Sequence, residues 1–202
     1  AIGKALTTPS RAFDGVREGM VVAAAELGLT LEELLSQTEL FVYGTTRATN
    51  AIVTGNVSKT AFLTTEGFPD TLVLRSGGRP NPHDYTKDYP KPYIPRRHTF
   101  EVPERVRSDG SVSKPFDEGR TREILEKLSR EKFEAVAVCL LWSIVNPDHE
   151  LRIGRLIEEI MPGCPYTLSH QLVPIVREYR RASATAIDAS LKPLMQQHFR
   201  GL

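Results

Sequence analysis

Two hundred and two residues, 40% hydrophobic and 25% charged, suffice for one large domain or two small ones with a proper core. The net charge is +1, with 26 basic side chains interleaved among 25 acidic ones, so neither nucleic acid nor an anionic membrane surface is an expected partner. No apolar run reaches membrane-spanning length, no secretory core is present, and Cys139 and Cys164 make no disulfide framework, so free thiols and a cytoplasmic setting are expected.

The chain opens without Met and stops inside a helical pattern, which predicts a piece of a longer polypeptide. Gly3 to Thr8 reads as a strand ended by Pro9. Ser10 can cap a helix whose apolar positions Phe13, Val16, Met20, Val21, Ala24 and Leu27 recur at helical spacing as far as Gly28. Thr30 and Glu33 stand at capping-box spacing and predict a short further helix. Leu40 to Tyr43 is contiguous, apolar and β-favouring, and Gly44 breaks it. Thr45 and Thr46 can cap a helix that ends at Gly55, and Lys59 to Leu63 predicts a second strand. Residues 40 to 64 would then form one βαβ unit with Gly44-Thr45-Thr46 at the carboxyl end of its first strand, where open α/β sheets favour ligands. Two hydroxyls, a glycine and free N–H groups at a helix start suit an anion; an ordinary capped turn explains the same residues.

Residues 75 to 103 hold six prolines and three tyrosines and cannot run as regular helix. Arg75, Arg79, Arg96 and Arg97 bracket this excursion, which reads either as a lid that binds an anion or substrate and meets a partner, or as a loop wrapped on the surface. His83 with Asp84 lies within it and could be carried over a substrate, or could be a surface histidine. Phe100 to Arg107 and Ser111 to Phe116 predict a β-hairpin, the first arm held to an edge by Pro103. An amphipathic helix follows from about Glu118 to Arg130, then a strand from Ala135 to Trp142 buried on both faces. Asn146-Pro147 opens a helix ending at Pro162-Gly163. Tyr166 to Leu172 reads as a strand, and Arg181 to Phe199 as a long helix kinked at Pro193. The order predicts a mixed α/β layered domain with helices on both faces of its sheet.

The five histidines never fall at i, i+3 or i+4 from another histidine or cysteine, so no metal site is predicted. His149, between Asp148 and Glu150, reads as one of several solvated charges in a first helical turn. Arg177 to Arg181 is a dense polar run that either orients a ligand or a neighbouring domain, or is a solvated helix entrance. No nucleophile motif, phosphate-binding glycine loop of the Walker type or dinucleotide fingerprint occurs, and no catalytic residue is assigned.

Several blocks resemble, in order, the hydantoinase A / 5-oxoprolinase family. Tyr43 to Ala51 is similar to its GTT-x-ATNA motif, Thr64 to Asp70 to TT-x-GF-x-D, Glu101 to Val106 to EVPERV, Ala135 to Leu141 to EAVAVCLL, Asn146 to Glu150 to NP-x-HE, and Arg177 to Leu191 to the REY-x-R segment with its helix. The resemblance implies an actin-like (ribonuclease H-like) ATPase lobe lacking its first strands, spanning residues 1 to 202. The excursion and hairpin at 66 to 116 lie within it, and the helix at 181 to 202 leads to a second lobe of the same chain. It implies an enzyme of the ATP-dependent cyclic amide hydrolase type, using ATP and Mg²⁺ to phosphorylate a carbonyl oxygen before ring opening, cytoplasmic and oligomeric, with a B-type partner subunit or domain and a small-molecule substrate. Gly44, Thr45, Thr46 and Asn50 would bind the cofactor; Arg75 and His83 are the substrate-binding candidates. A ketone carboxylase subunit of the acetone or acetophenone type and a non-catalytic assembly lobe are the alternatives. The family's Asp-x-Gly-Gly-Thr phosphate loop is expected upstream of Ala1, and the piece alone is expected to bind ATP poorly. Ala182, Ala184, Asp188 and Ser190 stand where many relatives carry Thr, Thr, Asn and Tyr.

Overall fold

The computed structural model describes residues 1–6, 12–77, 83–84 and 86–200, which fall into two units, Ala1–Asn50 with Leu194–Leu202, and Ala51–Pro193.

In the first unit, α1 (Ala12–Glu26) and α2 (Leu31–Ser36) follow their sequence signals. The capping box at α2 forms as expected: the Glu33 amide donates to Thr30 Oγ1 at 3.2 Å and the Thr30 amide to Glu33 Oε2 at 2.7 Å, so two orphan donors of the first turn are satisfied reciprocally. The expected cap at Ser10 lies outside the described residues. Residues 3–6 carry no regular secondary structure, and the rest of the expected Gly3 to Thr8 strand lies outside the described residues. Gly3 abuts α1 so closely that a Cβ there would come within 1.7 Å of the Gly19 carbonyl oxygen, a contact only glycine permits. Leu40 to Tyr43 is likewise irregular, not the first strand of a βαβ unit. A strand exists only by pairing, and no described segment pairs with it. Its side chains accordingly stay out, Leu40 at 78% and Val42 at 79% exposure.

In the second unit a four-stranded parallel sheet carries the core, in the order β2 (Thr99–Val102), β1 (Thr60–Thr65), β5 (Ala135–Cys139), β6 (Tyr166–Leu168). β5 is central and wholly buried, as its uninterrupted apolar run requires. Its neighbours sit at Phe62↔Ala137 on one side and Ala137↔Thr167 on the other. On one face, Ala61, Leu63, Val136 and Val138 meet Ile124, Leu125 and Leu128 of α5 (Glu118–Arg130) and Ile153, Leu156 and Ile157 of α6 (Asp148–Ile160). On the other, Phe62, Ala135, Ala137 and Cys139 meet Leu72 of α4 (Thr71–Leu74), Ile94, and Ala182, Ala186 and Ala189 of α8 (Glu178–Arg200). The small side chains of α8 let its backbone lie close to the sheet, and helices cover both faces as the sequence predicts.

Three boundaries differ from expectation. Thr99 to Val102 is a parallel strand of the main sheet rather than a hairpin arm; Pro103, without an N–H, ends it, and the hairpin shrinks to β3 (Arg105–Val106) against β4 (Val112–Lys114). β5 stops at Cys139, and a turn-rich segment occupies 140–147. β6 stops at Leu168, where α7 (Ser169–Leu172) replaces the expected strand end. The described end of the Pro-rich excursion is anchored, with Ile94 buried and Tyr93 Oη 2.7 Å from Ser190 Oγ.

Candidate functional site

Among the described residues, each unit holds a recess with sequence-predicted site residues in its lining. In the first unit, a cavity of about 450 Å³ is lined by Tyr43, Gly44, Thr45, Thr46, Arg47 and Asn50 together with Ala5, Leu6, Gly15, Val16 and His198. All four expected cofactor-binding residues are therefore brought together here. α3 (Arg47–Thr54) begins at this recess; Thr45 Oγ1 accepts from the Arg47 amide at 3.2 Å, and the Asn50 amide makes the first helical bond, to the Thr46 carbonyl at 2.9 Å. Asn50 Nδ2 donates to Thr46 Oγ1 at 3.4 Å. Tyr43 Oη lies 3.0 Å from His198 Nε2, which fixes the far wall.

Two observations bear on what this recess can take. None of its described lining residues is a carboxylate, whereas Arg47 is cationic and its Nε is buried without a hydrogen-bond partner. A buried N–H left unpaired is costly, so the site suits an anion such as a phosphate group. Gly44 has an ordinary φ, and a Cβ there would meet no heavy atom within 4 Å, so neither backbone strain nor packing demands glycine. A bare backbone beside the recess instead leaves room for a ligand to approach.

In the second unit, all four strands of the sheet are parallel, so their carboxyl ends share one edge. The connection leaving β1 returns at β2, on one side, and that leaving β5 returns at β6, on the other. The crevice between β1 and β5 is thus the switch point where open α/β sheets bind ligands. A recess of about 520 Å³ lies among the segments that follow these strands, lined by Gly67 to Thr71, Leu74 and Arg75 after β1, Arg105 after β2, Leu141 and Trp142 after β5, and Glu178 and Tyr179 at the start of α8. Arg75, one of the two substrate-binding candidates, is among the lining residues. His83 is exposed and is not among the lining residues, so the structure does not bring the two substrate candidates together.

The backbone around this recess is strained. Of the four described non-glycine residues with positive φ, Arg75 (59°) and Trp142 (56°) line it and Arg177 (81°) immediately precedes Glu178. Such conformations persist where the surroundings over-determine them. Here the clamp is visible. The Leu140 amide donates to Glu150 Oε1 at 2.9 Å, and the Leu140 carbonyl accepts from Arg181 Nη2 at 2.6 Å and from Ser143 Oγ at 3.1 Å. The Leu141 amide donates to Thr65 Oγ1 at 3.0 Å, and the Thr65 hydroxyl in turn donates to Glu104. Glu150 also accepts from Ser169 Oγ at 2.6 Å and from the His170 amide at 3.1 Å, while Arg181 Nε donates to Ser169 Oγ at 3.0 Å. Glu104, Glu150 and Arg181 are each at most 1% exposed, and together they fix the turn that presents Trp142.

These buried groups are what sequence reasoning missed. His149 is not a solvated first-turn charge: it is 6% exposed, its Nδ1 is 2.7 Å from Glu104 Oε2, and its ring packs on Phe116. The neighbouring Glu150 is fully buried because Ser169, His170 and Leu140 converge on it from elsewhere in the chain. Arg181 lies inside the polar run read as a possible helix entrance, yet is 1% exposed. Burial pushes the Cys139 thiol up to about 11, so it is not a thiolate at neutral pH and supplies no nucleophile.

The family model described as the hydantoinase/oxoprolinase N-terminal region matches residues 1–161. The chain is 32% identical over 197 residues to caprolactamase subunit alpha of Pseudomonas jessenii, covering 96% of this chain and 28% of that protein. It is 32% identical over 208 residues to the acetophenone carboxylase gamma subunit of Aromatoleum aromaticum, again covering 96% and 28%. The crystal structure of ATP-dependent caprolactamase from Pseudomonas jessenii superimposes with a TM-score of 0.85 at 31% identity, over 97% of this chain and 29% of that one. The chain thus spans less than a third of the length of these relatives.

Proposed function

This chain belongs to the hydantoinase/oxoprolinase family, of which it carries the N-terminal region, and on that premise we propose that it is the phosphate-binding part of an ATP-dependent enzyme that activates the carbonyl of a cyclic amide for ring opening. The observation that carries the reading is the recess at the start of α3, which gathers Thr45, Thr46, Asn50 and a partnerless Arg47 Nε with no described carboxylate among them. Bound there, ATP would supply a transferable phosphoryl group that turns an inert carbonyl oxygen into an activated one.

The chain's own residues do the rest. The Thr45 and Thr46 hydroxyls and the Asn50 amide offer hydrogen bonds to phosphate oxygens, and Arg47 neutralises charge on them. Gly44 keeps the approach open. The recess offers no described carboxylate to Mg²⁺, which is therefore assigned no ligand among these residues. A second lobe and a partner subunit complete the enzyme in this reading, in keeping with the designation of the relatives as alpha and gamma subunits.

A second reading, a subunit of a ketone carboxylase, is favoured by the equal identity to the acetophenone carboxylase gamma subunit. The deciding experiment uses the full-length protein with its partner and measures ATP hydrolysis in the presence of hydantoin, 5-oxoproline or caprolactam, and of acetone or acetophenone with bicarbonate. Stimulation by a cyclic amide is expected, and Thr45→Ala should reduce it without changing the secondary structure. Stimulation by ketones alone would replace the leading reading with the second, and an unaltered Thr45→Ala enzyme would remove the first-unit recess from the site.

A further inference from the structure

Resting on the reading of an amide-activating enzyme, we propose that the crevice between β1 and β5 is the substrate site, and that it recognises a cyclic amide through both of its polar atoms, Arg105 taking the carbonyl oxygen and Glu178 the N–H.

The argument starts from charges without partners. Four charged side chains line this recess. Asp70 is engaged by Arg96 at 2.7 Å, and Arg75 Nη2 reaches the Lys91 carbonyl at 3.5 Å. Arg105 is half-buried, and its guanidinium lies 4.7 Å from the centre of the Phe68 ring with no hydrogen bond or ion pair to any described residue. Glu178 is also half-buried and has no described hydrogen bond or ion pair, with Arg105 or any other residue. The recess therefore keeps one unused donor group and one unused acceptor group, apart from each other, between walls of Phe68, Leu74, Leu141, Trp142 and Tyr179.

That pattern specifies its ligand. A small-ring amide is held cis, so its C=O and N–H point from the same edge of the ring while the methylenes present an apolar body. The guanidinium matches the oxygen and the carboxylate matches the N–H, and both contacts are charge-assisted. Both also draw the amide toward its imidate resonance form and so raise electron density on the oxygen. A ketone of the same size satisfies only Arg105 and leaves a half-buried carboxylate desolvated and unpaired, which selects against it. Strain at Trp142 and at Arg177, the residue before Glu178, is in keeping with a backbone held to present these groups.

The test uses the full-length protein without ATP and three matched probes, 2-pyrrolidinone, N-methyl-2-pyrrolidinone and cyclopentanone, with binding followed by ligand-observed NMR titration. The wild type should bind 2-pyrrolidinone about tenfold to a hundredfold more tightly than the other two, the range of one hydrogen bond to a charged group. Glu178→Ala should erase that preference, Arg105→Met should weaken all three probes, and Arg105→Lys should restore part of the loss. Equal binding of the three probes by the wild type, no binding of the lactam, or a preference that survives Glu178→Ala each overturns the assignment, the first two without any variant having to fold. Lactam-stimulated ATP hydrolysis that Glu178→Ala and Arg105→Met leave intact overturns this site and spares the proposed function. Selective lactam binding that the variants abolish, without any lactam-stimulated ATP hydrolysis, does the reverse.

Discussion

Replacing Arg181 by Met removes the cation that holds the turn after β5 while keeping most of its volume. The guanidinium donates to Ser169 Oγ at 3.0 Å, to the Ile175 carbonyl at 3.1 Å and to the Leu140 carbonyl at 2.6 Å. Leu140 keeps a second donor in Ser143 Oγ, but fully buried Glu150 loses its nearby positive charge, linked to it through the Ser169 hydroxyl. Removing one partner from a buried charged network costs about 3–5 kcal/mol. At about 1.4 kcal/mol per tenfold change, this raises the opening equilibrium of the turn by roughly a hundredfold to several thousandfold. Hydrogen exchange followed by mass spectrometry on the full-length protein reads this directly, because the Leu140 and Leu141 amides are bonded to Glu150 and Thr65. Peptides spanning 139–146 should lose protection by that factor, while Arg180→Met, at the exposed neighbour, should leave them unchanged. A loss smaller than tenfold would refute the claim that Arg181 and Glu150 together hold the strained Trp142.

Other outcomes follow from single features. Gly44→Ala meets no neighbour and no positive φ, so thermal stability should hold or rise by about 0.4–1 kcal/mol, yet the methyl narrows the first-unit recess and ATP-dependent turnover should fall; equal turnover would detach Gly44 from the site. Leu125→Ala deletes a fully buried side chain of the α5 face and should cost about 2–5 kcal/mol, read as lost exchange protection across α5. His98 packs edge-on against Phe133 at 5.1 Å, and burial, followed by Arg97 and Lys59, lowers its pKa below 6.5. The unfolded chain therefore takes up a proton that the folded one refuses, so stability present above pH 6.5 declines as pH falls through 6.5 toward the folded value; His98→Gln should flatten that part of the pH profile of chemical denaturation, and an unchanged profile would count against it.

What could be read from the sequence depended on whether the deciding interaction was local. The capping box at Thr30 and Glu33, the inward face of α5 and the start of the buried run of β5 are set within a few residues, and each forms where expected, although β5 ends at Cys139 rather than Trp142. Leu40 to Tyr43 has the composition of a strand, but pairing is supplied by another segment, and without one the same residues stay irregular, with Leu40, Phe41 and Val42 exposed. Thr99 to Val102 failed in the opposite way, since its partner β1 lies more than thirty residues earlier and the nearer hairpin was the simpler reading. The same division runs through the candidate site. Gly44, Thr45, Thr46 and Asn50 gather around one turn and were legible together, and Arg75 was legible as a charge at the edge of an irregular stretch. Arg105 and Glu178 were not, because nothing in a sequence tells a charged residue that has found a partner from one that has not. Arg96 and Arg105 look alike on paper, yet one is spent on Asp70 and the other stacks on Phe68 with its donors unused. The proposed selectivity for an amide over a ketone rests on that difference, which exists only once the chain has folded.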